Sequence, residues 1–525
     1  MGIVRSVGVC LVTAVVLTSG YAALTAAPQS QQSSRIWGSF YTQQTTTSRG
    51  ALETLKAKTN GKPRPSSMMT RLSGWNEMAI DMAGVDHTPP VDGELREYAQ
   101  QYGPGRTSRA MAMVHLAMFE VVNAFYPRYE SYIGAPPAPP GASIEAALAQ
   151  AAHDTLHGLY SAQGVLCDQQ LAADLQDIPD TYGKREGTAF GARIAAAVLQ
   201  QRADDGSGHL EPRVGIEFTT SDDPGKWRQD PISGIPLALG AHWGGVTPFV
   251  IESPALFRAP LPPDMATREY TAAYHEVQRL GGDGIVTPTE RTPEQSFAGI
   301  FWAYDGTPSL CAPGRLYNQI VMTIAAQMGT DFVDTARLLA LVNVAMADAG
   351  IAVWESKFHY QVWRPITGIR ESDEGTGPTG LGDGNLLTRG DSQFTPFGAP
   401  ASNLHGPNFT PPFPAYPSGH AGLGGAVFQT LRNFYGTDDI PFTFVSDEWN
   451  GVTRDNMGVV RPLIPRTFAS LSEAEEENGQ SRIYLGIHWA FDKTAGIDQG
   501  RRIANHVYQN AFRPREPGRR RGPAR

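Results

Sequence analysis

Nineteen residues from Ser108 to Tyr126, SRAMAMVHLAMFEVVNAFY, are apolar on most sides when wound as a helix. A helix without a polar face has to be surrounded, so this run predicts a buried helix inside a sizeable core. The surrounding elements read as helical too. SIEAALAQAAHDTLHGLY (143–160) opens with Ser143 as an N-cap, and EGTAFGARIAAAVLQQRADD (186–205) ends near Gly206. Helical patterning resumes over 316–329, runs strongly over 333–363, and returns at 421–435 and after 488. Residues 206–265 and 371–417 are rich in turn formers and read as long ordered loops. Convincing alternating strands are scarce. The expectation is a mainly α chain of two helical bundles, an N-terminal helical half at 71–297 and a C-terminal half at 298–510.

The termini read differently. MGIVR followed by VGVCLVTAVVLTSGYAALTAA predicts a secretory signal peptide over 1–27, and hence a secreted or periplasmic protein. The same run is nearly long enough to serve as an uncleaved membrane anchor. With the signal removed, no membrane span is expected. Residues 28–70, rich in Gln, Ser, Thr and Pro, read as a flexible lead-in, and 511–525, with six arginines, as a basic disordered tail. A net charge of −9 gives no reason to expect nucleic-acid binding. Cys167 and Cys311 would be the cysteines of the mature chain, open to one disulfide or to two free thiols.

Three segments of the C-terminal half carry chemistry. Lys357 and Arg364 stand seven apart, two helical turns on one face, ahead of the helix-ending Pro365; solvated cations at a helix C-terminus are the plain alternative. In PFPAYPSGHAGLGGA (412–426), Gly419 admits close backbone approach, and Ser418 with the next helix's free amides makes an anion site or simply an N-cap. His420 there is a candidate acid or base. His488 and Asp492 are four apart, so on a helix the carboxylate would orient the imidazole; Arg482 reaches the same point if the chain bends at Gly486. Three cations at this density suit a tetrahedral oxyanion.

Lys-(six residues)-Arg-Pro, Pro-Ser-Gly-His and Ser-Arg-(three)-Gly-(one)-His-(three)-Asp together resemble the signature segments of the vanadium haloperoxidase and type 2 phosphatidic acid phosphatase superfamily. FWAYDG (301–306), RLYNQIV (315–321), FPAYPSGHA (413–421) and SRIYLGIHWAFD (481–492) resemble the vanadium-dependent haloperoxidases of the chloroperoxidase-like branch. A weaker echo at 103–120 extends the resemblance over about 75–510. It implies a vanadate site in the C-terminal bundle, one vanadate per subunit. Lys357, Arg364, Ser418, Gly419 and Arg482 would hydrogen-bond the vanadate oxygens, and His488 would be the metal ligand. His420 would be the catalytic acid–base, with Lys357 polarising peroxide. Asp305 would pair with Arg482, unless it only makes an Asx turn before Gly306.

The resemblance further implies hydrogen peroxide, chloride or bromide and a small organic acceptor as partners, with vanadium acting throughout as a Lewis acid. A homodimer is compatible with it. Family bromoperoxidases tend to carry histidine seven residues before the acid–base histidine, where chloroperoxidases carry phenylalanine. Phe413 and Trp354 therefore form the expected halide pocket and favour chloride. The alternative on the same residues is a secreted acid phosphatase, with His488 attacking phosphorus.

Overall fold

The computed structural model describes residues 29–44, 51–59, 67–92 and 94–515. The signal-peptide reading of 1–27 lies outside them, as does the tail from 516 on. Among the described residues the chain forms fifteen α-helices and two small antiparallel sheets. The expected mainly α architecture is what the chain adopts.

The helix of the apolar run, α1 (Gly103–Phe125), packs on the longest helix, α2 (Phe332–Tyr360). Asp331 caps α2, its side chain accepting from the Asp334 amide at 2.8 Å. Alone among the described residues, α2 is long and apolar enough to cross a membrane. That corrects the expectation that no later segment qualifies. Its apolar window is wholly buried in protein, so it serves as the core axis, with α3 (Gly419–Tyr435) and α5 (Ala490–Asn510) on its other flank. One continuous apolar cluster runs from Leu55 to Phe512, joining both halves of the chain.

Small residues set the spacing of α3 and α5. A Cβ added at Gly500 would lie 2.1 Å from the Gly422 carbonyl oxygen, and one at Gly425 2.6 Å from that of Ile497. Only glycine lets the backbones approach this closely. The same contact brings the start of α3 against the start of α5, where the Ser418 amide donates to the Asp492 carbonyl at 2.9 Å.

Several sequence expectations shift. The flexible lead-in instead contributes helices at Gln29–Trp37 and Ala51–Thr59, with Trp37 and Tyr41 buried and Thr42–Gln43 paired to Leu404–His405. Isolated aromatics found tertiary sites that polar composition conceals. The tail's first residues are ordered: Phe512 is buried, and Pro514 bridges to Tyr129. A hairpin, Phe442–Asn450 with Leu463–Phe468, went unread although its first strand alternates buried Phe442 and Phe444 with exposed Thr443 and Val445. Cys167 and Cys311 are free, buried thiols.

Candidate active site

Lys357 sits in the last turn of α2. The helix stops at Tyr360, where Gln361 takes a left-handed φ of 53°. Arg364 therefore lies beyond the helix, extended, at the N-cap of the short helix Pro365–Arg370. The two cations meet through this chain reversal, and the expected shared helical face does not exist. Lys357 Nζ is buried and donates to the carbonyl oxygens of Pro414 (2.7 Å) and Ala415 (2.9 Å). Arg364 Nε donates to the Phe413 carbonyl at 2.9 Å and Nη1 to that of Ile487 at 2.8 Å, while its buried Nη2 has no partner.

Arg482 belongs to α4 (Leu471–Tyr484). The chain then turns at Gly486, φ +73°, where a Cβ would stand 2.3 Å from the Gly281 carbonyl oxygen. Arg482 Nη2 donates to Asp305 at 2.6 Å; its Nε and Nη1 are buried without partners. Asp305 Oδ1 is thus engaged by the arginine, while its Oδ2 is buried without a partner. The unread hairpin positions this aspartate: Ser446 donates to the Phe301 carbonyl, and Tyr304, at φ +46°, takes the Asp447 amide on its hydroxyl.

His488 precedes α5 rather than lying on it. Asp492, in the first turn, accepts from the Trp489 amide at 3.0 Å and from His488 Nδ1 at 2.8 Å. A carboxylate there puts the hydrogen on Nδ1 and the lone pair on Nε2, which accepts from Arg364 Nη1 at 2.8 Å. Ser418 caps α3, Gly419 opens it, and Trp354 touches Gly419, a Cβ there falling 3.1 Å from the indole. His420 Nε2 faces the Ala303 carbonyl and so carries the hydrogen, leaving Nδ1 as the nitrogen available to the cavity. Its own carbonyl is gripped by Tyr317 Oη (2.9 Å) and Asn478 Nδ2 (3.1 Å). Tyr317 stood inside a recognised motif; Asn478 gave no sequence signal.

Phe413 packs 5.0 Å from the Trp354 ring, with Lys357 Nζ at 5.1 Å and Arg364 Cζ at 5.0 Å from its own centroid. Its ring thus offers π-face stabilisation to two cations. The cluster is short of negative charge. Burial, then Arg364, holds Lys357 well below the usual lysine range, and burial draws Arg364 down to about 9. Asp492 is pushed up to about 7 by burial, and Asp305 is raised by burial against the pull of Arg482. His420 and His488 are both held well below the ordinary histidine value, by burial first and then the neighbouring cations. Three cations, two carboxylates and three orphaned guanidinium donors form a pocket that an oxyanion would complete.

Residues 337–517 match the family model described as the VCPO second helical-bundle domain. The chain is 31% identical over 510 residues to the vanadium chloroperoxidase of Curvularia inaequalis, covering 81% of this chain and 79% of that relative. It belongs to the vanadium haloperoxidase family. Among solved structures, a bacterial vanadium-dependent iodoperoxidase shares the fold with a TM-score of 0.68 at 23% identity, over 87% of this chain and 100% of that one. A bacterial vanadium-dependent chloroperoxidase in its apo form gives 0.56 at 16% identity, over 78% and 93%. Vanadate is the cofactor of this haloperoxidase. The donor set fits it: Arg364 Nη2, Arg482 Nε and Arg482 Nη1 are unpartnered cationic N–H groups suited to a charged oxygen cluster, and His488 Nε2 carries a lone pair that Arg364 Nη1 holds here.

Proposed function

We propose that this haloperoxidase oxidises chloride, and also bromide, with hydrogen peroxide, releasing hypohalous acid that halogenates organic compounds. The observation that carries the chloride reading is the Trp354–Phe413 aromatic wall laid directly on the cationic floor. Such a wall strips water from the halide that is hardest to oxidise. The chloroperoxidase named as a relative supports the same direction.

Bound vanadate supplies a Lewis acid that activates peroxide while staying oxidised. The chain's residues do the rest. His488 Nε2, its lone pair fixed by the Nδ1 bond to Asp492, would be the single protein ligand. Lys357, Arg364, Arg482, the Ser418 hydroxyl and the Gly419 amide would hold the oxygens and spread their charge. Asp305 keeps Arg482 oriented. His420, neutral because its imidazolium form is disfavoured by burial and by Arg482, takes a proton from incoming peroxide at Nδ1. Tyr317 and Asn478 hold that residue's backbone in place.

The test separates binding from turnover. His488→Ala is expected to lose tightly bound vanadate on dialysis, whereas His420→Ala keeps vanadate and loses halide oxidation. Unchanged halogenation in either variant contradicts these roles. For the halide, the wild type should oxidise chloride, and Phe413→His should lower the chloride-to-bromide rate ratio. A wild type active on iodide alone overturns the chloride reading. The basic-then-apolar leader supports export to a secreted or periplasmic location, checked by N-terminal sequencing of exported protein.

A further inference from the structure

A second cluster of ligand-bearing side chains, separate from the catalytic residues, sits where the helix Ile144–Leu159 turns into the helix Gly164–Gln176. A ring nitrogen of His153, the Cys167 sulfur and a carboxylate oxygen of Asp168 all lie within 4.8 Å of one another. His153 Nε2 stands 2.8 Å from Asp168 Oδ1, and its Nδ1 donates to Asp154 Oδ1 at 2.7 Å. Gln150 Nε2 donates to the same Asp154 oxygen at 2.7 Å. The His153 side chain is 12% exposed and Cys167 is fully buried, whereas Asp168 is 56% exposed and leaves a way in from solvent.

The neighbours of this cluster suit a cation. Asp154 ties down Nδ1 and turns Nε2 toward Asp168, the arrangement by which a carboxylate orients a metal-binding imidazole. His157 follows His153 by four residues, so the two rings share one helix face, with centroids 5.7 Å apart. His157 Nε2 rests on the start of the second helix, one turn before Cys167, where a Cβ at Gly164 would come within 2.6 Å of it. Among the described residues neither Asp154 nor Asp168 pairs with a lysine or arginine, so a protonated His153 offsets only one of their two charges. Burial pushes the Cys167 thiol up to about 12, and its sulfur donates to the Gly164 carbonyl at 3.0 Å. Coordination to a metal ion is what would ionise such a thiol. An imidazole, a thiolate and one carboxylate make a zinc-type donor set, whereas calcium and magnesium call for oxygen ligands.

We propose that His153 Nε2, Cys167 Sγ and the Asp168 carboxylate form a zinc-binding site, its fourth position within reach of His157, that staples the two helices together. The ion takes the place of the proton on Nε2 and of the thiol proton. Both protons pass to solvent, and no electron is transferred. The site stands apart from the haloperoxidase residues and needs neither vanadate nor peroxide.

Untagged, vanadate-free protein titrated with Co²⁺, a spectroscopic substitute for zinc, should develop a sulfur-to-cobalt charge-transfer band. The band should saturate at one ion per chain and be abolished by Zn²⁺. Cys167→Ser should lack it. Asp154→Ala, which removes only the orienting acceptor, should weaken cobalt binding about 10–100-fold, and His153→Ala should weaken it further. Calorimetry with Zn²⁺ in buffers of different ionisation enthalpy should show proton release that falls in Cys167→Ser. Zn²⁺ should raise the melting temperature of the wild type and leave that of Cys167→Ser unmoved, with far-UV circular dichroism of each metal-free variant as the folding control. Absence of a saturable band, or a band that survives in Cys167→Ser, overturns the site and leaves an adventitious ion only.

Discussion

Arginine-to-lysine exchanges at the two guanidinium groups proposed to hold vanadate should differ in cost, because the structure commits their donors differently. Arg482 spends Nη2 on Asp305 and leaves Nε and Nη1 buried and unpartnered; Arg364 leaves only Nη2. Lysine keeps the charge, and at 482 it can keep an ion pair to Asp305, but it lacks the planar fork. Hydrogen bonds to charged groups contribute about 1.5–3 kcal/mol each. Since about 1.4 kcal/mol is a tenfold change in affinity, two lost donors predict roughly 10²–10⁴-fold weaker vanadate binding for Arg482→Lys. One lost donor predicts roughly 10–10²-fold for Arg364→Lys. Equilibrium dialysis of orthovanadate against each vanadate-free protein measures the difference, with thermal melting as the folding control. Equal losses, or a larger loss at Arg364, would refute the assignment of the orphaned donors to the oxyanion.

Gly500→Ala drives a methyl group into the Gly422 carbonyl, so it should cost about 3 kcal/mol in urea unfolding and weaken vanadate binding, since α3 and α5 carry both histidines' surroundings. Asp348 fastens the 206–265 excursion by accepting from the amides of Phe249 (2.6 Å), Val250 (2.8 Å) and Ile251 (3.0 Å). Asp348→Ala orphans three buried donors and should destabilise by at least about 3 kcal/mol, read from the urea midpoint. Burial pushes the Asp348 carboxyl up to about 6, above its unfolded value, so its stabilising contribution is full at low pH and lost as pH rises through 6. The stability gap between wild type and Asp348→Asn should therefore shift in the wild type's favour by about 1 kcal/mol on going from pH 7 to pH 5.

Much of the site was legible because its chemistry is local. Ser418, Gly419 and His420 are contiguous, and the cations stand at short spacings from residues that bend the chain. What the spacing could not supply was the route by which they meet. Lys357 and Arg364 converge through the left-handed Gln361, and His488 reaches Asp492 from outside the helix whose first turn holds Asp492. Helical periodicity names a face only while the helix lasts. The packing of the N-terminal lead-in was hidden for another reason. Trp37 is one aromatic in a polar stretch, and its burial depends on Tyr98 and Phe409, 61 and 372 residues away. Asn478 was silent because its role is to hold a backbone carbonyl, which any geometry-free reading misses.

The most direct measurement is peroxide-dependent halogenation of a reporter by the purified protein, with and without orthovanadate, alongside phosphate-ester hydrolysis by the vanadate-free protein. The account predicts halogenation of bromide and chloride that appears only with vanadate and vanishes in His488→Ala. Tight vanadate binding without halogenation, joined to efficient ester cleavage by the vanadate-free protein, would contradict it.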